Sequence, residues 1–199
     1  MNQLMGNPTD QPVPAIVAAA FARAERHGFA LSSEPTVGRL LATLAAATPI
    51  GGRILELGTG VGAGLAWIVH GLGTRADVQV ISIEANAATA ATALAASWAS
   101  FVDVQIGDAE TLLPMLGQFD LIFADAEGGK WSGLALTVAA LQAGAVLVVD
   151  DMDLYRYADP VHRTSITRVR EHLIGEARLV CVELPVSSGI IVATRRAEA

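Results

Sequence analysis

Short apolar runs alternate with longer amphipathic stretches from residue 53 to the end of the chain. Continuous apolar runs of this kind are typical of strands that are buried on both faces of a parallel sheet. The stretches between them carry apolar residues at helical spacing and begin at capping residues such as Asn86 and Asp159. The pattern predicts strands at 53–57, 78–84, 102–106, 119–124, 145–149, 178–184 and 188–194, and helices at 61–72, 86–99, 109–116, 131–142 and 160–174.

The first fifty residues contain two amphipathic stretches and no strand pattern. Pro14 fits the first turn of a helix, and a second helix is predicted over 33–47. No linker composition separates these helices from the strands that follow. All 199 residues are therefore expected to form one domain, with lead-in helices in 1–50 and the sheet in 51–199.

The order of the predicted elements indicates the topology of the sheet. Repeated strand–helix units imply parallel strands with helices on both faces. The last two runs, RLVCVEL and SGIIVAT, are joined by too few residues for a crossover helix. The predicted fold is thus α/β, a doubly wound and mostly parallel seven-stranded sheet that is closed by a C-terminal antiparallel hairpin.

A glycine-rich turn follows the first predicted strand, in the sequence RILELGTGVGAG over 53–64. Glycine at such a turn permits a positive φ and lets a ligand lie against bare backbone. The first free N–H groups of the next helix then face that ligand. This segment predicts a site for a nucleotide-like cofactor, formed by Gly58, Thr59, Gly60 and Gly62.

Two classes of cofactor fit the turn. Gly58, Gly60 and Ala63 satisfy the G-x-G-x-x-G/A fingerprint of dinucleotide-binding proteins. Glu56, two positions before the first glycine, would repel a pyrophosphate if it is ionised at the mouth of the turn. The same carboxylate would attract the amino group of S-adenosylmethionine (SAM), which carries no phosphate. An alternative is that Glu56 caps the helix or lies in solvent at the end of the strand.

An acidic residue ends each of the five parallel strands. Because ligands of open α/β sheets bind outside the carboxyl ends of the strands, these acids are expected to line one crevice. Glu84 suits hydrogen bonds to ribose hydroxyls in either cofactor class, and Asp108 also fits an N-cap of the following helix. The five acids are Glu56, Glu84, Asp108, Asp125 and Asp150.

The motif ELGTGVG resembles the first motif of the class I SAM-dependent methyltransferases, whose Rossmann-like core would span nearly the whole chain. The two lead-in helices, FADAE after the fourth strand and VVDDM after the fifth make it similar to the small O-methyltransferases of the catechol and caffeoyl-coenzyme-A type. The resemblance implies transfer of a methyl group from SAM to a small-molecule hydroxyl. The residues that it assigns to SAM are Glu56, Gly58, Thr59, Gly60, Gly62, Glu84, Ala85, Asp108, Ala109 and Asp125.

The same resemblance implies a divalent cation, Mg²⁺, Mn²⁺ or Ca²⁺, held by Asp125, Asp150 and Asp151. Such an ion should raise the melting temperature by relieving the repulsion of the three carboxylates. The family pattern places a lysine three residues after the first acid, where this chain has Gly128. The nearby Lys130 is therefore the candidate base, together with Asp150 as a second catalytic candidate.

Aromatic side chains flank the expected crevice. Trp131, Tyr155 and Tyr157 either form a wall for an aromatic acceptor or pack loop against helix. His162 is the histidine nearest to the loop after the fifth strand and is a further candidate base.

The charge and composition of the chain argue against two kinds of partner, nucleic acid and membrane. A net charge of −7 without a stripe of lysine and arginine argues against nucleic acid. The longest apolar window, 134–149, contains Gln142 and Gly144 and is too short for a membrane span. The N-terminal residues lack the basic region followed by an apolar stretch that is typical of a signal peptide, so a cytoplasmic protein is expected. The apolar lead-in helices are compatible with a homodimer.

Two other functions remain open at this point. The first is an NAD(P)-dependent oxidoreductase, on the strength of Gly58, Gly60 and Ala63, although no residues remain for a separate catalytic domain. The second is a protein of the methyltransferase fold that binds the cofactor without turnover, which the displaced lysine favours.

Overall fold

The computed structural model of the protein describes residues 12–197 and confirms the predicted fold class. Seven strands form one sheet in the order β3-β2-β1-β4-β5-β7-β6. The helices are α1 (Ala15–Arg26), α2 (Pro35–Ala46), α3 (Ala63–Leu72), α4 (Ala87–Leu94), α5 (Ala109–Leu116), α6 (Leu134–Ala139) and α7 (Pro160–Gly175), and the strands are β1 (Arg53–Leu57), β2 (Gln79–Glu84), β3 (Val102–Ile106), β4 (Phe119–Ala124), β5 (Leu141–Val149), β6 (Leu179–Leu184) and β7 (Ile190–Arg195).

Strand pairing places the carboxyl ends of the parallel strands at one edge. In β1, Leu57 pairs with Ile83 of β2 on one side and with Ala124 of β4 on the other. Strand β5 continues the parallel set beside β4, and β7 returns antiparallel to β5. Strands β6 and β7 pair in an antiparallel hairpin, as the short connection between them predicts. The chain order reverses between β1 and β4, which is where open α/β sheets bind their ligands.

The two faces of the sheet are covered by different sets of helices. Helices α1, α2 and α3 bury Val17, Leu41 and Trp67 on one face. Helices α5, α6 and α7 cover the other face, with Val138 and Leu173 fully or nearly fully buried. Strands that are apolar on both faces are the natural result of this arrangement. Within residues 12–197, no helix is long and apolar enough to cross a membrane.

Several element boundaries differ from the prediction by two residues or more, among them both ends of α6, which runs from Leu134 to Ala139 instead of over 131–142. Helix α3 begins after Gly62, whose φ of 90° interrupts the helical backbone. Helix α4 ends at Leu94 instead of near residue 99, because the indole N–H of Trp98 donates to the carbonyl of Ala93 at 2.9 Å and replaces a further helical turn. Strand β5 begins at Leu141 rather than at residue 145, and its pairing with β4 is irregular near its start.

Candidate active site

The glycine turn between β1 and α3 has the backbone that its sequence predicts. Gly58, Gly60 and Gly62 have φ values of 100°, 53° and 90°. The amide of Gly58 donates to the carbonyl of Ile83 at 2.9 Å, which ties the turn to the end of β2. A Cβ atom at Gly58 would overlap the backbone carbonyl of Asp125, so the turn fits closely against the end of β4.

Glu84, at the end of β2, reaches across to the glycine turn. One carboxylate oxygen accepts the amide of Gly60 at 2.8 Å, and the other accepts the amide of Asn86 at 2.9 Å. Asn86 in turn caps α4 through its side chain. The neighbouring Ala85 is exposed. The carboxylate is thus fixed at the rim of the crevice, where a sugar hydroxyl could bind.

Glu56 lies beneath the turn and not at its mouth, where the sequence reading places it. Its side chain has no solvent exposure and accepts a hydrogen bond from the hydroxyl of Ser82. Ser82 in turn shares a hydrogen bond of 2.6 Å with the hydroxyl of Thr59. Desolvation raises the pKa of Glu56, and the hydrogen bond from Ser82 lowers it by a smaller amount, so the pKa is about 8.

In this position Glu56 does not distinguish SAM from a dinucleotide by its charge. A buried carboxyl with a pKa near 8 is mostly neutral at pH 7, so it neither repels a pyrophosphate nor attracts an ammonium group as the sequence argument assumes. One oxygen of Glu56 lies against Gly64, where a Cβ atom would overlap it. Of the two alternatives for Glu56, a position in solvent is wrong because the side chain is fully buried, and no side-chain hydrogen bond caps the start of α3.

Asp108 caps α5 and still faces the crevice. Its Oδ2 accepts both the amide and the hydroxyl of Thr111 at 2.9 Å. Its Oδ1 lies beside Gly128. A Cβ atom built on that glycine would lie 3.4 Å from this oxygen. Ala109, the first residue of α5, is buried behind it. Both interpretations of Asp108 from the sequence are therefore compatible.

Lys130 points inward, into the acidic residues at the ends of β4 and β5. Its side chain is 2% exposed. The ammonium nitrogen lies 2.9 Å from Oδ2 of Asp151, 3.4 Å from Oδ1 of Asp125 and 3.4 Å from the backbone carbonyl of Asp150. A lysine ammonium has three donors, and these three oxygens account for all of them.

The turn before Lys130 explains how the displaced lysine reaches this position. Gly129 has a φ of 84°, and its amide donates to the carbonyl of Ser132 at 2.7 Å. Its own carbonyl accepts the hydroxyl of Thr137 at 2.7 Å, which anchors the turn to α6. A Cβ atom at Gly129 would come close to Leu57 and Thr137. The two extra glycines thus fold the chain back and direct the lysine inward.

Asp150 takes a different orientation from its neighbours. Its carboxylate accepts the hydroxyl of Ser188, in the loop before β7, and the amide of Asp151 at 2.7 Å. It is 3% exposed. Only its backbone carbonyl faces Lys130, so its side chain fixes the loop before β7 to the end of β5. The catalytic role predicted for Asp150 therefore lacks a side chain that faces the crevice, and it stays a prediction.

The carboxyl groups around Lys130 differ in their affinity for protons. Desolvation raises the pKa of Asp125 well above its usual range, and the nearby carboxylates of Asp150 and Asp151 raise it further. Desolvation acts in the same direction on Asp151, but Lys130 and a hydrogen bond from the hydroxyl of Tyr157 outweigh it and lower its pKa. Asp125 is thus the carboxyl that holds a proton more readily.

The predicted divalent cation does not fit this arrangement. Asp125 and Asp151 face a common point, but the carboxylate of Asp150 faces Ser188, and the ammonium nitrogen of Lys130 lies where an ion would have to lie. Across residues 12–197, no group of three or more histidine, cysteine or acidic side chains is arranged to hold a metal ion. The ion itself stays a prediction.

Aromatic rings cover the outer side of the acidic cluster. The ring of His162 stacks on Tyr157 with centroids 4.1 Å apart and meets the edge of Trp131 at 5.0 Å. The ammonium nitrogen of Lys130 lies 4.4 Å from the centroid of the Trp131 ring. Tyr155, by contrast, is 94% exposed and is not part of this group. Of the predicted aromatic wall, the structure brings together Trp131 and Tyr157 and adds His162.

Sequence reasoning missed the hydroxyl partners of the acids. Ser82 lies two residues before the end of the apolar strand β2, and Ser188 lies in the turn of the hairpin. A polar residue inside a continuous apolar run is the signal that could have indicated Ser82, because a buried hydroxyl needs a partner. Ser188 carries no comparable signal, since serine is common in turns.

Comparison with known proteins agrees with this geometry. A family model described as a methyltransferase domain matches residues 55–152. Catechol O-methyltransferase of Mycobacterium tuberculosis is 34% identical over 150 residues, which cover 72% of this chain and 66% of that protein. A protein provisionally named as an O-methyltransferase in Mycolicibacterium smegmatis is 33% identical over 193 residues, covering 91% of this chain and 90% of that protein.

The fold is shared with a solved O-methyltransferase. The crystal structure of TomG from Streptomyces achromogenes, an enzyme of tomaymycin synthesis in complex with SAM, matches with a TM-score of 0.78. The match covers 94% of this chain and 92% of TomG at 23% sequence identity, which shows a common fold. The fold and the sheet edge thus define a class I methyltransferase. This chain belongs to the SAM-dependent O-methyltransferases of that class, as its motifs predict.

Proposed function

We propose that the protein transfers the methyl group of SAM to a hydroxyl of a small, flat acceptor. The observation that carries this proposal is the meeting, at one sheet edge, of the glycine turn with a fixed acid at its rim and an acid pair beneath aromatic rings. The name of the Mycobacterium tuberculosis relative, a catechol O-methyltransferase, supports an aromatic acceptor. No basic cluster on the described part of this edge suggests a phosphorylated one.

The cofactor side of the crevice is formed by the turn and two acids. We assign the ribose hydroxyls to Glu84, whose carboxylate is oriented by two backbone amides. We assign the adenine amino group to Oδ1 of Asp108, because the capping bonds of that residue use only Oδ2. Thr59 and the glycines supply backbone at the turn, and Glu56 supports the turn from below.

The acceptor side is formed by Asp125 and Asp151, whose side chains are 17% and 32% exposed. The rings of Trp131, Tyr157 and His162 lie beside them and suit a planar molecule. When bound, SAM supplies a methyl group on a positively charged sulfur. Positioning the acceptor oxygen in line with that group would account for much of the rate.

We assign the proton of the acceptor hydroxyl to the carboxylate of Asp125, because it faces the crevice and desolvation raises its pKa, so that it takes up a proton more readily than Asp151 does. An O–CH₃ bond forms while the S–CH₃ bond breaks, and the electron pair of the broken bond remains on sulfur. The proton then passes from Asp125 to solvent. Lys130 contacts the acids and not the acceptor, since its three donors are already used. We place no divalent ion in this step, because the acids as arranged do not fit one.

Calorimetric titration of the wild-type protein tests the cofactor assignment. We expect S-adenosylhomocysteine to bind and NAD to fail, and we expect Glu84→Gln to weaken binding at least about tenfold through loss of a charged hydrogen-bond acceptor. Asp103→Asn, which changes an exposed acid on β3, is the matched control and should bind as the wild type does. Binding of NAD in place of S-adenosylhomocysteine would disprove the proposed function.

Turnover separates the enzyme from a protein that only binds the cofactor. A panel of catechols and other phenols, with radioactive SAM as the methyl donor, should yield a methylated product. If the protein binds S-adenosylhomocysteine tightly but methylates no hydroxyl compound, the assignment of the acceptor side is refuted and the assignment of the cofactor side stands.

A further inference from the structure

We propose that the ammonium group of Lys130 is the resident cation of the acid cluster and that the protein therefore binds no divalent ion between Asp125 and Asp151. The proposal rests on the proposed function only where it relates the acid cluster to methyl transfer. The binding of ions to the cluster can be measured without turnover. Its basis is the position of the ammonium nitrogen relative to three oxygens from two strand ends.

The ammonium nitrogen of Lys130 lies between carboxylates from two strand ends. The nitrogen lies 2.9 Å from Asp151 Oδ2 and 3.4 Å from Asp125 Oδ1, and the two acids follow different strands of the sheet. A third oxygen, the backbone carbonyl oxygen of Asp150 at the end of β5, lies 3.4 Å from the same nitrogen. A cation that binds both carboxylates has to lie between them, and the lysine nitrogen already occupies that place.

The buried charge of Lys130 and the two carboxylates stabilise one another. Two carboxylates that face the same point repel each other unless a cation or a proton lies between them. Lys130 is 2% exposed, and removing a charge from water to that extent is costly unless the charge is paired. Lys130 and the two acids therefore need one another, and an incoming divalent ion would have to leave the lysine buried without a partner.

The backbone around Lys130 is held in a fixed turn. The turn that carries Lys130 is fixed by hydrogen bonds from Gly129 to Ser132 and from Thr137 to Gly129, both of 2.7 Å. Trp131 lies over the ammonium group on the outer side, with its ring centroid 4.4 Å from the nitrogen. The lysine is thus held in place from both sides, and its role is to position the two acids.

Binding of Mn²⁺ to the purified full-length protein, followed by the electron paramagnetic resonance signal of the free ion and by thermal melting, tests the proposal. We expect the wild type to show no stoichiometric site at millimolar Mn²⁺ and no rise in melting temperature. Lys130→Met removes the charge but keeps most of the volume. It should gain one Mn²⁺ per chain, and the added change Asp151→Asn should abolish the gained site.

Lys130→Arg is the matched control, since it keeps a cation at the same position and should bind no Mn²⁺. A wild type that binds one Mn²⁺ per chain, with a site lost in Asp125→Asn, would overturn the proposal, and so would a folded Lys130→Met that gains no site. If Lys130→Met does not fold, the wild-type titration alone decides. Binding of S-adenosylhomocysteine, measured on the same samples, reports separately on the proposed function.

Discussion

At the scale of single residues, the site depends on buried polar groups that are paired across strand ends. Glu56 is paired with Ser82, Asp150 with Ser188, and Lys130 with Asp151. In each pair one member is an acid that the sequence singles out, and the other donates a hydrogen bond to it. The type and position of the acids could be predicted from the ends of the strands. Their orientation could not, because it depends on partners that are distant in sequence.

Gly58 illustrates a residue whose identity the turn requires. Its φ of 100° and the carbonyl of Asp125 next to it leave no room for a side chain. We expect Gly58→Ala to lower the free energy of unfolding by about 3 kcal/mol, since backbone strain and overlap with backbone add up. Binding of S-adenosylhomocysteine should be lost as well. Urea unfolding and calorimetry measure the two effects.

Gly51 is the matched control for this substitution. It also has a positive φ, 71°, but a Cβ atom there would meet no atom within 4 Å. Gly51→Ala should therefore cost only the strain of the backbone, about 1 kcal/mol, and leave binding unchanged. Equal losses of stability in the two variants would show that the contact with Asp125 does not matter.

At the scale of elements, the prediction from the sequence is most accurate where a capping side chain sets a boundary. Asn86 and Asp159 cap the helices to which the sequence assigns them. It was least accurate where alanine-rich sequence gives no stop signal. The end of α4 depends on a hydrogen bond from Trp98, whose side chain also packs against Gly62. A hydrogen bond between residues five apart therefore decides that boundary, and the alanine-rich pattern of the helix does not indicate it.

The packing of α2 on α3 is a second contact between elements that depends on small residues. A Cβ atom at Gly71 of α3 would overlap the backbone carbonyl of Ala42 in α2. We expect Gly71→Ala to force the helices apart and to lower the free energy of unfolding by about 2 kcal/mol, despite the better helix propensity of alanine. Chemical denaturation of the variant measures this loss.

The comparison for Gly71 is Gly175, the last residue of α7. It is helical and has open space, so Gly175→Ala should change stability by less than about 1 kcal/mol. Should Gly71→Ala prove as stable as Gly175→Ala, the two helices would have to be packed less closely than the structure shows.

At the scale of the whole molecule, the order of strands and the position of the site were predictable, because parallel strands bring their carboxyl ends to one edge. The predicted homodimer stays a prediction, as does the place of the protein in the cell. Glu56 is buried and mostly neutral at pH 7, so it does not select SAM over a dinucleotide by its charge, although the class of protein predicted on that basis is correct. The glycine motif after β1 and the order of the strands together indicate the family, and the charge state of Glu56 is not needed for that prediction.

Burial of Glu56 makes the stability of the whole protein depend on pH. Its pKa is about 8 in the folded protein, above the ordinary value of 4.5, so the folded state retains a proton that the unfolded state has lost between those values. Stability due to this group is therefore fully present below pH 4.5 and decreases as the pH rises toward 8, by at most about 1.4 kcal/mol per pH unit. Above pH 8 the effect levels off.

Glu56→Gln isolates this contribution, since glutamine resembles the protonated acid and does not titrate. We expect the free energy of unfolding of the variant, relative to that of the wild type, to increase steadily from pH 5 to pH 8 in urea titrations. Glu25→Gln, which changes an exposed glutamate of α1, should show a constant difference over the same range. A constant difference for Glu56→Gln as well would mean that the buried carboxyl is ionised in the folded protein and that the interaction with Ser82 is strong enough to offset desolvation.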